Sequence, residues 1–200
     1  MPVEQIIVFV KAPRPGAVKT RLAKTLGRGA ACDAYRRLVE TLLQRLRDLR
    51  CVQVRFTPAD AEPEIRPWVR PGWVALPQDE GDLGVRMQSA FAAAFRNGAQ
   101  RVVIIGSDCP EVTAEDVAAA WHALLTHDLV LGPATDGGYW LIGLCRPQPA
   151  LFHQMPWSTD QVFGQTLRRA AEAGLRVHRL RQLEDVDTPV AWQRFLDRFP

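Results

Sequence analysis

A run of cations surrounds a glycine shortly after the N-terminus. Residues 11–21 read KAPRPGAVKTR, which places four basic side chains within eleven positions. Lysine and arginine neutralise phosphate oxygens, and backbone N–H groups beside a glycine add anion donors. The alternative is a solvated surface turn. A phosphate loop is rejected because the GxxxxGK[ST] spacing fails, and the GxGxxG fingerprint is absent. The residues predicted to bind a di- or triphosphate are Lys11, Arg14, Gly16, Lys19, Thr20 and Arg21.

Carboxylates in two later segments have the chemistry of a divalent metal site. Asp108 directly follows an apolar run, in the segment GSDCP, and Asp185 and Asp187 alternate onto one side of the segment DVDT. Hard cations such as Mg²⁺ and Mn²⁺ take oxygen ligands and share them with substrate phosphates. Capping of a turn or helix is the alternative for each carboxylate. The predicted metal ligands are Asp108, Asp187 and Asp185.

A third segment, TDGGYW at positions 135–140, combines a carboxylate with paired glycines. Gly137 and Gly138 would let a substrate approach the backbone closely, and Asp136 would accept a ligand hydroxyl or act as its base. A tight turn with no further role is the alternative. The predicted catalytic residues are Asp136 and Asp108. Further substrate contacts are predicted at Asp82, Arg86, Tyr139, Trp157, Ser158 and Thr159.

The elements that must position these residues alternate between strands and helices. Short apolar runs predict strands at 6–10, 52–56, 73–76, 102–105, 129–131 and 139–144, while apolar stripes at helical spacing predict helices between them. This alternation indicates an α/β fold with right-handed crossovers and a mostly parallel sheet. Ligands of such sheets bind beyond the carboxyl ends of the strands, where the polar segments above are found.

Local signals predict where several helices begin. Thr113 with Asp116, and Ser158 with Gln161, have the spacing of capping boxes. Thr188 followed by Pro189 predicts the start of the last helix. Residues 59–72 contain three prolines and are expected to form a long surface loop.

Composition excludes several classes of protein. The chain has 200 residues, of which 47% are hydrophobic and 24% charged, and this balance is ordinary for one globular domain spanning 1–200. A net charge of +3 is too small to indicate a nucleic-acid partner. Neither a signal peptide nor a membrane span is recognisable, so a cytoplasmic location is expected. The four scattered cysteines indicate neither disulfides nor a zinc site.

The motifs KAPRPGAVKTRLA, DLGVRM, IIGSDCP, LGPATDGGYWLIGL, WST and EDVDTP follow one another along nearly the whole chain. In that order they resemble a family of small bacterial GT-A-fold proteins, once classed as a domain of unknown function and grouped as nucleotide-diphospho-sugar transferases of the arsenosugar-biosynthesis type. More distantly, the chain is similar to phospholactate guanylyltransferases and molybdopterin-cofactor nucleotidyltransferases. The resemblance implies a three-layer α/β sandwich of the GT-A type.

By position, the resemblance implies that Lys11, Lys19 and Arg21 hold phosphates. It further implies that Asp108 stands for the metal-binding DxD-type carboxylate and Asp187 for a second one. Ser107-Asp108-Cys109 lacks the second Asp of a strict DxD, so metal binding by Mg²⁺ or Mn²⁺ depends on Asp185 or Asp187.

The expected function is transfer of a sugar from a nucleoside diphosphate donor to a small-molecule acceptor, with metal assistance. One alternative is nucleotidyl transfer from an NTP to a phosphorylated substrate, as in a guanylyltransferase. The glycine-poor first loop favours sugar transfer. A second alternative is a non-catalytic nucleotide-binding module.

Overall fold

The computed structural model describes residues 3–200, and a seven-stranded sheet runs through its centre. The strands are β1 Glu4–Lys11, β2 Val52–Thr57, β3 Val74–Pro77, β4 Arg101–Ile105, β5 Leu129–Pro133, β6 Tyr139–Leu144 and β7 Val177–Arg179. Their spatial order is β3-β2-β1-β4-β6-β5-β7. Paired strands are parallel except at β6, which runs antiparallel to both β4 and β5. The predicted α/β fold with a mostly parallel sheet is confirmed.

Helices cover both faces of the sheet and make the three layers. They are α1 Thr20–Leu26, α2 Arg28–Arg45, α3 Glu62–Ile65, α4 Leu83–Arg96, α5 Ala114–Ala123, α6 Val162–Glu172 and α7 Pro189–Arg198. Val8 of β1 belongs to the core that includes α2 and α5, whereas its neighbour Ile7 belongs to the core that includes α4 and α6. Residues 6–10 are therefore continuously apolar, because both faces of β1 are buried.

The local capping signals at α5 and α7 are confirmed. Thr113 Oγ1 accepts the backbone N–H of Asp116 at 3.2 Å, and Asp116 Oδ2 accepts the N–H of Thr113 at 2.9 Å. At α7, Thr188 Oγ1 accepts the N–H of Ala191 at 3.1 Å. Each cap satisfies N–H groups that have no partner inside the helix.

No helix within residues 3–200 is both long enough and apolar enough to cross a membrane.

The capping box predicted at Ser158 and Gln161 is wrong. Ser158 has φ 65°, in the left-handed region, and α6 begins only at Val162. Gln161 occupies the N-cap position without a side-chain cap, and its N–H donates instead to Thr159 Oγ1 at 3.3 Å. The backbone turn at Ser158 moves the helix start beyond the reach of its hydroxyl.

The long surface loop predicted at 59–72 is also wrong over most of its length. Two single 3₁₀ turns, at Ala59–Ala61 and Arg66–Trp68, flank the short helix α3. Ala61, Ile65 and Trp68 recur at spacings of four and three and are buried in the core beside α2. Pro63 and Pro67 are the second residues of α3 and of the second 3₁₀ turn, where an N–H has no partner within the helix. Helix α1 and strand β7 were not predicted.

Candidate active site

A cleft of about 840 Å³ opens at the carboxyl edge of the sheet. The carboxyl ends of β1, β2 and β4 border this cleft, together with the amino end of the antiparallel strand β6. Its position is the one expected for ligand binding in an open parallel sheet. All predicted site residues except Arg14, Gly16 and Gly137 line it, namely Lys11, Lys19, Thr20, Arg21, Asp82, Arg86, Asp108, Asp136, Gly138, Tyr139, Trp157, Ser158, Thr159, Asp185 and Asp187.

Lys19 joins two of the predicted carboxylates in the cleft. Its Nζ donates to Asp108 Oδ1 at 2.5 Å and to Asp187 Oδ1 at 2.7 Å. The Lys19 side chain is 2% exposed, whereas those of Asp108 and Asp187 are 54% and 32% exposed. Burial opposes the charge of Lys19, but the two carboxylates outweigh burial and raise the pKa of Lys19 above its ordinary value. The lysine therefore stays an ammonium.

The chain brings Asp187 to Asp108 through a backbone contact. Val186 N–H donates to the carbonyl of Asp108 at 2.9 Å, and the Val186 side chain is buried against Leu38 and Phe195. With Val186 facing the core, the flanking carboxylates of Asp185 and Asp187 both line the cleft. The placement predicted from the alternation of DVDT is thus confirmed.

Asp185 lies near the carboxylates of Asp136 and Asp187 in the cleft. Burial raises its pKa above the ordinary value, and the charges of Asp136 and Asp187 raise it further. Thr135 Oγ1 faces Asp185 Oδ1 at 3.5 Å, which is too long for a strong hydrogen bond. A carboxylate with a raised pKa is a stronger base than an ordinary carboxylate.

The segment Asp136-Gly137-Gly138 forms a turn at the other side of the cleft. Asp136 Oδ1 accepts the N–H of Gly138 at 2.9 Å, and Gly137 has φ 88°. A Cβ on Gly137 would lie 2.3 Å from the carbonyl oxygen of Asp160. The Gly137 carbonyl accepts the N–H of Phe163 at 2.9 Å. Gly137 therefore packs against backbone that leads into α6, and its predicted contact with substrate has no support from its position.

Several residues that were predicted to contact a substrate also make bonds or packing contacts that stabilise the local structure of the protein. Asp82 Oδ1 caps α4 by accepting the N–H of Val85 at 2.9 Å, and Arg86 Nε donates to the carbonyl of Gly81 at 2.8 Å. Trp157 packs over Gly84, where a Cβ would lie 2.8 Å from the indole. Thr159 Oγ1 donates to the carbonyl of Pro156 at 2.8 Å. These residues border the cleft, and their contact with a substrate stays a prediction.

The N-terminal basic loop divides into two parts. Lys11, Thr20 and Arg21 are exposed at the cleft. Arg14 lies outside the cleft lining, and its guanidinium pairs with Glu64 at 2.6 Å and with Asp60 at 3.3 Å. Gly16, with φ 86°, shapes the turn of the loop but does not line the cleft. The phosphate-binding prediction therefore has geometric support for the second half of the loop and for Lys11.

Tyr35 is a site residue that the sequence reasoning missed. This buried side chain of α2 accepts the N–H of Lys11 at 2.8 Å, and its hydroxyl lies 3.0 Å from Ser107 Oγ. Burial raises the pKa of Tyr35 to about 12, so the hydroxyl stays protonated. Tyr35 thereby joins the ends of β1 and β4 beneath the cleft. A hydroxyl within the otherwise apolar stripe of α2 was the available signal.

Gln78 is a second missed residue. It lines the cleft, and its Nε2 donates to the carbonyls of Val10 at 3.1 Å and Arg55 at 2.9 Å. These bonds tie the ends of β1 and β2 together just beyond β3. Its sequence signal was weak, because a single Gln after a strand is common.

The described residues 3–200 contain no group of three His, Cys, Asp or Glu side chains arranged to hold a metal ion. Asp108 and Asp187, which meet at Lys19, are two of the three predicted metal ligands, and the third, Asp185, lines the same cleft. Metal binding by these carboxylates stays a prediction.

Two known proteins are similar to this chain over about two thirds or more of its length. A phosphoenolpyruvate guanylyltransferase of Chloroflexus aggregans (strain MD-66 / DSM 9485) is 32% identical over 139 residues, which cover 67% of this chain and 69% of that protein. A solved structure from Desulfovibrio desulfuricans G20, named as a "putative nucleotide-diphospho-sugar transferase", is 37% identical. It aligns with a TM-score of 0.88 and covers 94% of this chain and 84% of that one.

A more distant structure shows the fold alone. The 4-diphosphocytidyl-2C-methyl-D-erythritol synthase of Anaerococcus prevotii DSM 20548 is 11% identical, with a TM-score of 0.63 over 98% of this chain and 97% of that one. The fold is therefore that of nucleotidyl- and sugar-nucleotide-transferase-like enzymes. Residues 41–159 match the family model described as "Uncharacterized protein conserved in bacteria (DUF2064)". With more than half of its length matched, the chain belongs to the DUF2064 family of bacterial proteins.

Proposed function

We propose that this protein is a metal-assisted nucleotidyltransferase, which transfers a nucleotidyl group from a nucleoside triphosphate to a small phosphorylated acceptor. The observation that carries the proposal is the cluster of Lys19, Asp108 and Asp187 at the carboxyl edge of the sheet. Exposed Lys11 and Arg21 border the same cleft. Such a site combines cations for a phosphate chain with carboxylates for a metal ion.

The donor set fits Mg²⁺ or Mn²⁺. Mg²⁺ commonly uses one or two carboxylates together with substrate phosphates and waters. Asp108 and Asp187 approach one point, since Oδ1 of each lies within hydrogen-bond distance of the same nitrogen. Lys19 uses one oxygen of each carboxylate. When bound, the ion would neutralise charge that develops on the departing phosphate group.

The residues of the chain would act by holding and neutralising the phosphates. Lys11 and Arg21 would bind the β- and γ-phosphates, and Lys19 would reach the phosphate nearest the carboxylates. An oxygen of the acceptor phosphate attacks the α-phosphorus, the bond from that phosphorus to the bridging oxygen breaks, and pyrophosphate leaves with the electron pair. An ionised phosphate needs no base for this attack, so the site must mainly position the two substrates.

The 32% identical guanylyltransferase supports nucleotidyl transfer and indicates which substrates to test first. GTP is the first donor to test, and phosphoenolpyruvate is the first acceptor. Related phosphorylated carboxylic acids come next, because they offer the same nucleophile.

Glycosyl transfer from a nucleotide sugar is the second candidate, and one observation favours it. In glycosyl transfer the acceptor attacks through a hydroxyl, which must lose its proton. Asp185, whose pKa is raised, lies in the cleft with Asp136 and would take up that proton. The 37% identical structure named for nucleotide-diphospho-sugar transfer also supports it. The same cations would then bind the departing nucleoside diphosphate.

The products distinguish the two reactions. We would incubate the chain with Mg²⁺ and a panel of NTPs or nucleotide sugars, each with candidate acceptors, and identify products by mass spectrometry. Nucleotidyl transfer releases pyrophosphate from an NTP, whereas glycosyl transfer releases a nucleoside diphosphate from a nucleotide sugar. Release of the diphosphate alone would replace the first proposal with the second. Nucleotide binding without any turnover would favour the non-catalytic module.

A further inference from the structure

The ammonium of Lys19 stands where two carboxylates meet. Nζ lies 2.5 Å from Asp108 Oδ1 and 2.7 Å from Asp187 Oδ1, and the Lys19 side chain is almost fully buried. Both partner carboxylates remain partly open to the cleft. One positive charge therefore already offsets half of the negative charge of this pair in the nucleotide-free protein.

A divalent cation held by the same pair would compete with this ammonium. Mg²⁺ lies about 2.0–2.1 Å from its oxygen ligands, so an ion shared by Asp108 and Asp187 would come within a few ångströms of Nζ. Two positive centres at such a distance repel each other. The ammonium and the metal ion cannot both use these carboxylate oxygens at full strength.

We propose that Lys19 occupies the cation position of the Asp108–Asp187 pair and leaves it only when nucleotide phosphates arrive. The inference deepens the proposed function and rests on it in assuming a phosphate-bearing substrate in this cleft. Its consequence is that metal ion and nucleotide bind as a unit. Without nucleotide, the ammonium of Lys19 lowers the affinity of the two carboxylates for free divalent cations. It also holds the two carboxylates together.

Lys19 is built to make this exchange. Its backbone, at φ 48° and ψ 46°, lies at the start of α1, and its ammonium is carried on a flexible four-carbon chain. Exposed Thr20 and Arg21 follow directly along the cleft. A phosphate held there would offer the ammonium a new anionic partner as the metal ion takes over the two carboxylates.

The test is a titration of the nucleotide-free chain with Mn²⁺. The electron paramagnetic resonance signal of free Mn²⁺ measures how much of the ion is bound. Lys19→Met removes the competing ammonium and keeps most of the side-chain volume. Lys11→Met is the matched control, because it removes a lysine of the same cleft that makes no ion pair among the described residues. We expect Lys19→Met to bind Mn²⁺ at least about tenfold more tightly than the wild type, since like-charge repulsion is removed, and Lys11→Met to match the wild type.

Thermal unfolding gives a second readout. Without Lys19 the two carboxylates repel each other, so Lys19→Met should unfold at a lower temperature than the wild type in EDTA and recover in Mn²⁺. Lys19→Gln removes the charge but keeps a hydrogen-bond donor. It serves as the second variant, with circular dichroism as the check of folding.

Equal Mn²⁺ affinity in the wild type and the Lys19 variants would overturn the inference. An equal gain in Lys11→Met would also overturn it, because the effect would then be general to the charge of the cleft. If neither Lys19 variant folds, Mn²⁺ binding by the wild type, with and without an NTP, still tests the inference. Micromolar Mn²⁺ binding without nucleotide contradicts the inference, and its absence until an NTP is added supports it. No acceptor or turnover is involved, so failure here is distinct from failure of the proposed reaction.

Discussion

Nζ of Lys19 lies 2.5 Å from Oδ1 of Asp108, although 89 positions separate the two residues in the chain. The contact joins the loop after β1 to the loop after β4, two neighbouring parallel strands. Since Asp187 reaches the same nitrogen from the segment before α7, three distant parts of the chain meet at one charge. The predictions below test this arrangement and the elements that maintain it.

Asp108→Asn should remove most of the activity while the chain remains folded. The residue is exposed in the loop after β4, so its replacement leaves the core unchanged. Loss of one charged group that contacts the metal and phosphates should lower kcat/KM by at least about 100-fold. Steady-state kinetics checks this, with Asp48→Asn as a control on an 84% exposed side chain. Activity within about threefold of the wild type would rule out Asp108 as a metal ligand.

Tyr35→Phe should destabilise the protein. It removes the acceptor of the Lys11 N–H and leaves Ser107 Oγ without its partner in a buried position. A buried group left unsatisfied costs about 1 to 3 kcal/mol, so the free energy of unfolding in urea should fall by that amount.

Tyr139→Phe is the matched control for that variant. The Tyr139 hydroxyl is buried and has no hydrogen-bond partner among residues 3–200. Its removal should leave the free energy of unfolding unchanged or raise it. Equal losses in the two variants would show that the contacts of Tyr35 do not join the strand ends as described.

Gly137→Ala should displace the loop that borders the cleft. A methyl group there would lie 2.3 Å from the Asp160 carbonyl oxygen, and φ 88° is unfavourable for alanine. We expect a loss of about 2 kcal/mol or more in the free energy of unfolding. Gly164→Ala, in α6 with open space around its Cα, should instead gain about 0.5–1 kcal/mol. Urea denaturation compares the two, and a neutral Gly137→Ala would contradict the close packing of the turn.

Asp128 should make part of the stability depend on pH. Its carboxylate accepts the N–H of Arg176 at 3.0 Å and contacts the guanidinium groups of Arg176 and Arg146. The hydrogen bond from the Arg176 backbone and these two cations lower the pKa of Asp128 below its ordinary value. The stabilisation is therefore fully present above the unfolded pKa of about 3.9 and is lost as pH falls through the lower folded pKa.

Asp128→Asn should consequently unfold at a lower temperature than the wild type at pH 7, with the difference shrinking below about pH 4. Melting curves between pH 7 and pH 2.5 measure this. A difference that stays constant across the range would show that the carboxylate charge of Asp128 does not contribute.

Much of the fold could be predicted because its signals are local. The apolar run at 102–105 and the capping box of Thr113 and Asp116 each depend on neighbouring residues, and both were predicted correctly. The start of α6 could not be predicted, because Ser158 takes a left-handed backbone as its segment packs against the turn at Gly137. Residues 59–72 were mistaken for a loop because the prolines obscured three buried apolar side chains.

The candidate site was predicted in part for a similar reason. Asp108 and Asp187 follow recognisable local patterns, so their positions at the sheet edge could be expected. Their meeting at Lys19 depends on long-range packing, including the burial of Val186, and no local pattern encodes it. The pairing of Arg14 with Glu64 is equally long-range, and only the folded chain shows that Arg14 is held away from the cleft.

The most direct test of the central claim is thermal unfolding of the wild type and Asp108→Asn with NTPs or nucleotide sugars, each with and without Mn²⁺. A ligand that binds the folded state at 100 times its Kd stabilises it by about 2.7 kcal/mol, so a shift of several degrees is expected. We predict that one NTP with Mn²⁺ raises the Tm of the wild type and that Asp108→Asn loses the shift. A wild type stabilised by no NTP, or an equal shift in Asp108→Asn, would contradict the account.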